Sequence, residues 1–151
     1  MPLEALNSPI VEYVYFFTLM SEVLLDLAGK SILLVEDNPI NQKVTERFLS
    51  RWGAKVVIAV NGKEALVCLE NTAFNLVLMD IQMPIMDGFA CTAAIRASEN
   101  LEVANLPILA LTADNSQETA QAVLKAGMND ALSKPFKPEH LGQKIIGLLE
   151  Q

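Results

Sequence analysis

Cysteine is nearly absent from this 151-residue chain: Cys68 and Cys91 are the only two, and they form no C-x-x-C pair. That excludes a disulfide framework and fits free thiols in a reducing compartment, used as small apolar fillers. Basic residues are also few. Eleven Lys and Arg face 18 Asp and Glu, a net charge of -7, which excludes a phosphate-backbone binder with its concentrated basic surface. An acidic surplus can instead attract Mg²⁺ or Ca²⁺. Uninterrupted apolar runs of membrane length (roughly 18 residues) are missing, because Glu12, Glu22 and Asp26 break the apolar N-terminal stretch. A secretory leader is not expected in this stretch: Glu4 and Glu12 precede the first basic residue, Lys30. There are no internal repeats, no low-complexity segments and a single histidine, His140. What remains is 52% hydrophobic and 19% charged, the composition of one globular domain with a sizeable core. A cytoplasmic setting is expected.

From Ser31 the chain alternates short apolar runs with helical patterns. Strands are expected at 32–35, 55–60, 74–79, 107–111 and 131–133. Helices are expected at 39–52, from Asn61-Gly62 through Glu70, at 88–98, from Ser116 to Ala126, and at 138–149. Asn38 is a cap with Pro39 at the first helical position, and Gly127 is a stop. Five strands each followed by a helix mean right-handed crossovers and a doubly wound α/β fold, a parallel sheet covered on both faces. Two divisions follow: a doubly wound domain over 30–151 and an N-terminal apolar helix or linker over 1–29. Ser8 can cap that helix at Pro9, and Gly29 can end it. Ile10, Tyr13, Phe17, Met20, Leu24 and Leu27 follow heptad spacing, widened by Val11, Val14, Phe16, Leu19 and Val23. Such a helix could pack on its own domain, but being apolar on more than one side it is expected to dimerise, through residues 9–28, or to pack between domains.

In such a fold every strand ends on one edge, where ligands bind. Reading those ends gives Glu36 and Asp37, then Asp80, Thr112 and Lys134. Each alone has a structural explanation as a cap, a turn former or a surface charge. Together they do not, because clustered carboxylates raise one another's pKa unless a cation joins them. Oxygen ligands in this number suit Mg²⁺, which keeps waters for a phosphate.

Four segments carry a resemblance: Leu34-Val35-Glu36-Asp37-Asn38, Met79 to Gly88, Ala110-Leu111-Thr112-Ala113 and Lys134-Pro135-Phe136. From about Ser31 to Gln151 the chain resembles the receiver domain of two-component response regulators. Asn38 to Gln42 and Gly127 to Asp130 look most like receivers of hybrid sensor histidine kinases. The resemblance implies the flavodoxin-like strand order 2-1-3-4-5. It makes Asp80 the nucleophile that takes a phosphoryl group from a partner's phosphohistidine, forming an aspartyl phosphate. It implies Mg²⁺ held by Glu36, Asp37, Asp80 and the backbone carbonyl of Gln82. Lys134, aimed by a cis bond to Pro135, would pair with the phosphoryl oxygens, and Thr112 would bond the phosphoryl group and carry the signal. The implied partners are a sensor histidine kinase or a histidine phosphotransfer protein, with no nucleic acid and no membrane. The implied role is a signalling domain in a phosphorelay, with weak autophosphatase activity, rather than a metabolic enzyme. A pseudo-receiver using the same surface as a constitutive scaffold is the alternative.

One position departs. Receivers usually carry an aromatic residue three positions before the lysine, and here it is Ala131, so the threonine–aromatic switch cannot operate as such. Readout through the loop after strand four is the remaining route. Other signals are decoys. Gly29-Lys30-Ser31 ends like a phosphate loop but precedes a strand and lacks the first glycine. Gln82 stands where a haloacid-dehalogenase-type phosphatase needs an acid. His140 reads as a solvated histidine, so phosphate must come from another protein, and Phe136 is expected to pack under the site. After strand five there is room for one helix only, so no output domain is expected to follow.

Overall fold

Strands buried on both faces need apolar residues at successive positions, and two of the five are buried at every position, apolar up to a polar last residue. The computed structural model describes residues 9–13 and 25–151. Its strands are β1 (Ser31–Val35), β2 (Lys55–Ala59), β3 (Leu76–Asp80), β4 (Ile108–Thr112) and β5 (Asp130–Ser133). All are parallel, in the order β2-β1-β3-β4-β5. The central β3 and β4 are buried at every residue, whereas edge strand β2 alternates exposed and half-buried positions until Ala59. Sheet position thus explains the difference in pattern.

Helices α1 (Pro39–Arg51), α2 (Gly62–Asn71), α3 (Gly88–Arg96), α4 (Leu101–Ala104), α5 (Gln117–Lys125) and α6 (Pro138–Leu149) complete the domain. Alternate strand residues face opposite layers. Leu33, Val35, Val77, Met79, Ile108 and Ala110 pack with residues of α2, α3 and α5. Ile32, Leu34, Leu76, Leu78, Leu109 and Leu111 pack with α1 and α6. The short α4 escapes the sequence pattern because one turn is too brief to show a period. Arg96 secures this corner. Its guanidinium donates to the carbonyls of Ala104, Leu106 and Gly127, each at 2.8 Å, and to Asn129 Oδ1 at 3.0 Å.

The N-terminal segment differs from the expectation. Residues 9–13 are helical and exposed, but Leu25 to Leu27 are irregular and Ala28-Gly29 form a turn. A helix ending at Gly29 is therefore corrected. The cause is local: Asp26 Oδ1 accepts the Ala28 N–H at 2.9 Å, and the Leu27 N–H donates to the Trp52 carbonyl at 2.7 Å. Leu27 then drops into the core at 1% exposure, facing its own domain rather than a partner. Leu25 covers Gly142, where an added Cβ would lie 2.7 Å from its Cδ2. Most of the expected dimerising segment, residues 14–24, lies outside the described residues. No helix among the described residues is long and apolar enough to cross a membrane. Truncating the buried side chain, Leu27→Ala, is expected to cost about 2–4 kcal/mol of stability in urea unfolding; a loss below about 0.5 kcal/mol contradicts this packing.

Candidate active site

The C-terminal ends of β1, β3 and β4 and the loop after β5 converge on an open cleft of about 510 Å³. Glu36 follows β1 directly. Its N–H still pairs with the Ala59 carbonyl of β2 at 3.0 Å, which draws the residue to 1% exposure. Such a carboxylate must be compensated. Oε1 accepts the Asn38 N–H at 3.2 Å and Oε2 accepts Lys134 Nζ at 3.2 Å, while the Glu36 carbonyl accepts Gln42 Nε2 at 2.7 Å. Asp37 next to it is exposed. Asn38 caps α1, accepting the N–H groups of Ile40 and Asn41 ahead of Pro39, as its sequence position suggests.

Asp80 ends β3 at 5% exposure. Its Oδ1 lies 3.4 Å from Lys134 Nζ and 3.4 Å from the Gln82 N–H. The loop beyond it is folded tightly back. Gly88 N–H donates to the Ile81 carbonyl at 2.8 Å, and an added Cβ on Gly88 would collide with the Asp80 carbonyl oxygen and sit 2.9 Å from Ile81 Cα. Only glycine lets α3 begin so close to the end of β3, and Asp87 caps that helix through the Ala90 N–H. Within the same loop Ile85 adopts φ 71, while Met86 N–H bonds the Pro84 carbonyl at 2.7 Å. This i to i+2 turn is strained for a β-branched residue, and it leaves Ile85 72% exposed.

Glu36, Asp37 and Asp80 offer carboxylate oxygens that all lie within 4.8 Å of one another. Hard oxygen ligands so grouped could hold a divalent cation. Among the described residues Lys134 is the cation paired with them, shared between Glu36 and Asp80. The balance leaves Asp80 short of compensation. Burial first, then the Glu36 charge, push its carboxyl up to about 6 against the opposing pull of Lys134. The Lys134-Pro135 bond is cis, as the motif implies, and the Lys134 N–H donates to the Thr112 carbonyl at 2.7 Å, fixing the loop to β4.

All six expected site residues line this cleft: Glu36, Asp37, Asp80, Gln82, Thr112 and Lys134. Phe136 packs instead into the layer shared by α1 and α6. The Thr112 hydroxyl is engaged away from the acids, donating to the Asp114 carbonyl at 2.8 Å and accepting the Asp114 N–H at 2.9 Å. Sequence reading missed Asp114, Thr119, Phe89 and Ala122, which form the opposite wall. Asp114-x-Ser116 with Thr119 three residues on is a legible capping pattern, but nothing local ties it to Thr112.

Residues 32–146 match the response regulator receiver domain family. The chain belongs to that family. This receiver is 43% identical over 138 residues to probable histidine kinase 4 of Oryza sativa subsp. japonica, covering 79% of the chain and 14% of that protein. It is 41% identical over 116 residues to sensor protein GacS of Pseudomonas syringae pv. syringae, covering 76% of the chain and 13% of the relative. The chain therefore spans 13–14% of the length of these two relatives. Among solved structures it resembles the receiver domain of a Pseudomonas aeruginosa PAO1 sensor histidine kinase, at TM-score 0.75 and 41% identity, covering 82% of this chain and all of that one. That structure holds a magnesium ion coordinated in its active-site cleft. It also resembles the receiver of the Saccharomyces cerevisiae response regulator Ssk1, co-crystallised with the histidine phosphotransfer protein Ypd1. There the TM-score is 0.74 and the identity 33%, over 80% of this chain and 89% of that one.

The raised Asp80 pKa has a sign that can be checked in metal-free protein. The folded state holds the proton more tightly than the unfolded state, so stability falls as pH rises from about 4 through 6 and stays lower above. Asp80→Asn removes this loss. The variant is expected to be more stable than the parent by about 1–2 kcal/mol at pH 8, allowing for screening in the open cleft, with the gap closing below about pH 4. Thermal unfolding of both proteins across that range measures it; a gap independent of pH contradicts the assignment.

Proposed function

We propose that this receiver is a phosphoacceptor in a two-component phosphorelay, taking a phosphoryl group from a partner's phosphohistidine onto Asp80. The observation that carries this reading is the placement of Asp80 within the acidic cleft, its Oδ1 3.4 Å from Lys134 Nζ. An Asp80 carboxylate oxygen attacks phosphorus as the P–N bond to the donor imidazole breaks, and the electron pair leaves on that nitrogen. Little covalent work falls to the protein, so positioning and charge stabilisation dominate. Lys134 is held by Glu36 at 3.2 Å, which keeps its ammonium beside the acceptor, ready to meet the new phosphoryl oxygens. Thr112 offers a hydroxyl at the end of the neighbouring strand β4, lining the same cleft.

The donor set fits magnesium: Glu36, Asp37 and Asp80 would hold it through their carboxylates, with the Gln82 carbonyl as the further ligand that the family resemblance implies. When bound, the ion neutralises charge on the transferring group and on the acids around it. The protein's own part is a signalling one, self-phosphorylation followed by slow hydrolysis, rather than turnover of a metabolite. The partner is a sensor histidine kinase or a histidine phosphotransfer protein. The names of the relatives support this, as does the apolar exposure of Ile40 (73%) and Val44 (47%) on α1 and Ile85 (72%) in the loop after β3. Free thiols at Cys68 and Cys91 support a cytoplasmic setting.

Incubation with Mg²⁺ and acetyl phosphate, followed by intact mass, tests the acceptor. One phosphoryl adduct is expected on the parent chain and none on Asp80→Asn. No adduct on the parent, or an adduct that survives in Asp80→Asn, favours the competing reading of a constitutive scaffold.

A further inference from the structure

Asp37 is the least supported of the three acids. Glu36 is held by the Asn38 N–H and Lys134, and Asp80 by Lys134 and the Gln82 N–H. Asp37 is exposed, and among the described residues no donor reaches its carboxylate. Yet a carboxylate oxygen of Asp37 lies within 4.8 Å of one from each of the other two acids, against the repulsion of like charges. Side-chain bonds do not keep it there, so its backbone must.

That backbone is gripped at one peptide. The Glu36 N–H pairs with the Ala59 carbonyl at 3.0 Å, which seats Glu36 on the sheet edge. The Glu36 carbonyl belongs to the peptide that leads into Asp37, and it accepts Gln42 Nε2 at 2.7 Å. An amide is planar, so a fixed carbonyl fixes the direction in which the Asp37 N–Cα bond leaves. Helix α1 does not need this bond in order to start. Asn38 already accepts the N–H groups of Ile40 and Asn41, and Pro39 has no N–H to satisfy. The Gln42 N–H itself bonds the Asn38 carbonyl at 2.9 Å. In a capping box the side chain that reaches back comes from the third helical residue and meets the cap. Gln42 stands one residue further into the helix and reaches past the cap to the acid pair.

We infer that Gln42 is a positioning residue for the divalent-ion site and acts through Asp37. Its amide holds the Glu36–Asp37 peptide so that the exposed carboxylate stays in the cleft. The inference rests on the reading of this cleft as a magnesium site. A side chain free to wander must be immobilised when it becomes a ligand, and that ordering opposes binding. Holding the peptide beforehand removes part of the cost. Glu36 is 1% exposed, so water is a poor substitute for the glutamine as donor to its carbonyl. Groups one step behind a metal's ligands typically change affinity by about 10–100-fold when removed.

The test follows Mn²⁺, which takes the same oxygen ligands, by water-proton relaxation on the full chain. One ion is expected per parent chain. Gln42→Met, close in volume but without the amide, is expected to bind it about tenfold more weakly. Gln42→Asn keeps an amide that falls short of the carbonyl, and a loss is expected there too; cooperative thermal unfolding checks that both variants are folded. Asp37→Asn also weakens binding, and adding Gln42→Met to it is expected to cost nothing further, because the effect passes through that carboxylate. A glutamine that only braced the fold would weaken both backgrounds alike. Unchanged affinity in either Gln42 variant overturns the inference alone, as does the same loss repeated in the Asp37→Asn background. No ion uptake by the parent overturns it together with the magnesium reading of the cleft.

Discussion

Three carboxylates gather at the end of this sheet around one ammonium, which pairs with two of them, and the rest of the site follows from that imbalance. Glu36 is buried and locked by backbone and lysine bonds, so its charge is fixed in place. Asp80 stands beside it with only a part-share of Lys134, and burial first, then the Glu36 charge, push its carboxyl up to about 6. Asp37 adds a third acid at the exposed mouth. An apo site of this kind is strained electrostatically and eased by any dication that enters. Uncompensated, the cluster costs stability in the free protein, as like charges held together do.

The parallel sheet is what makes the imbalance possible. Because every strand runs the same way, residues 36, 80, 112 and 134, far apart in the chain, leave the sheet at one edge. Local devices then refine the placement. Asn38 and Gln42 hold Glu36 from the first turn of α1, and Gly88 lets α3 close against the carbonyl of Asp80. On the far side of the sheet from α1, Arg96 ties α3 to the chain segments before β4 and β5.

Much of this was legible before any coordinates. Strand ends could be read because β3 and β4 are apolar up to Asp80 and Thr112, and the caps at Asn38 and Ser116 are simple local chemistry. The failures have physical causes too. Leu27 fits a heptad on paper, but a side-chain turn at Asp26 and a bond to Trp52 turn it into the core. The positive φ of Ile85 arises from loop closure rather than from a turn-forming residue. The link between Thr112 and Asp114 joins a strand end to a helix cap, and no spacing rule reports which way a hydroxyl points.

Calorimetric titration with Mg²⁺ at pH 7.5 tests the charge imbalance most directly. The account predicts uptake of one ion by the parent chain, with binding weakened in Asp37→Asn and lost in Asp80→Asn. An unchanged affinity in Asp80→Asn, or no uptake by the parent, would contradict it.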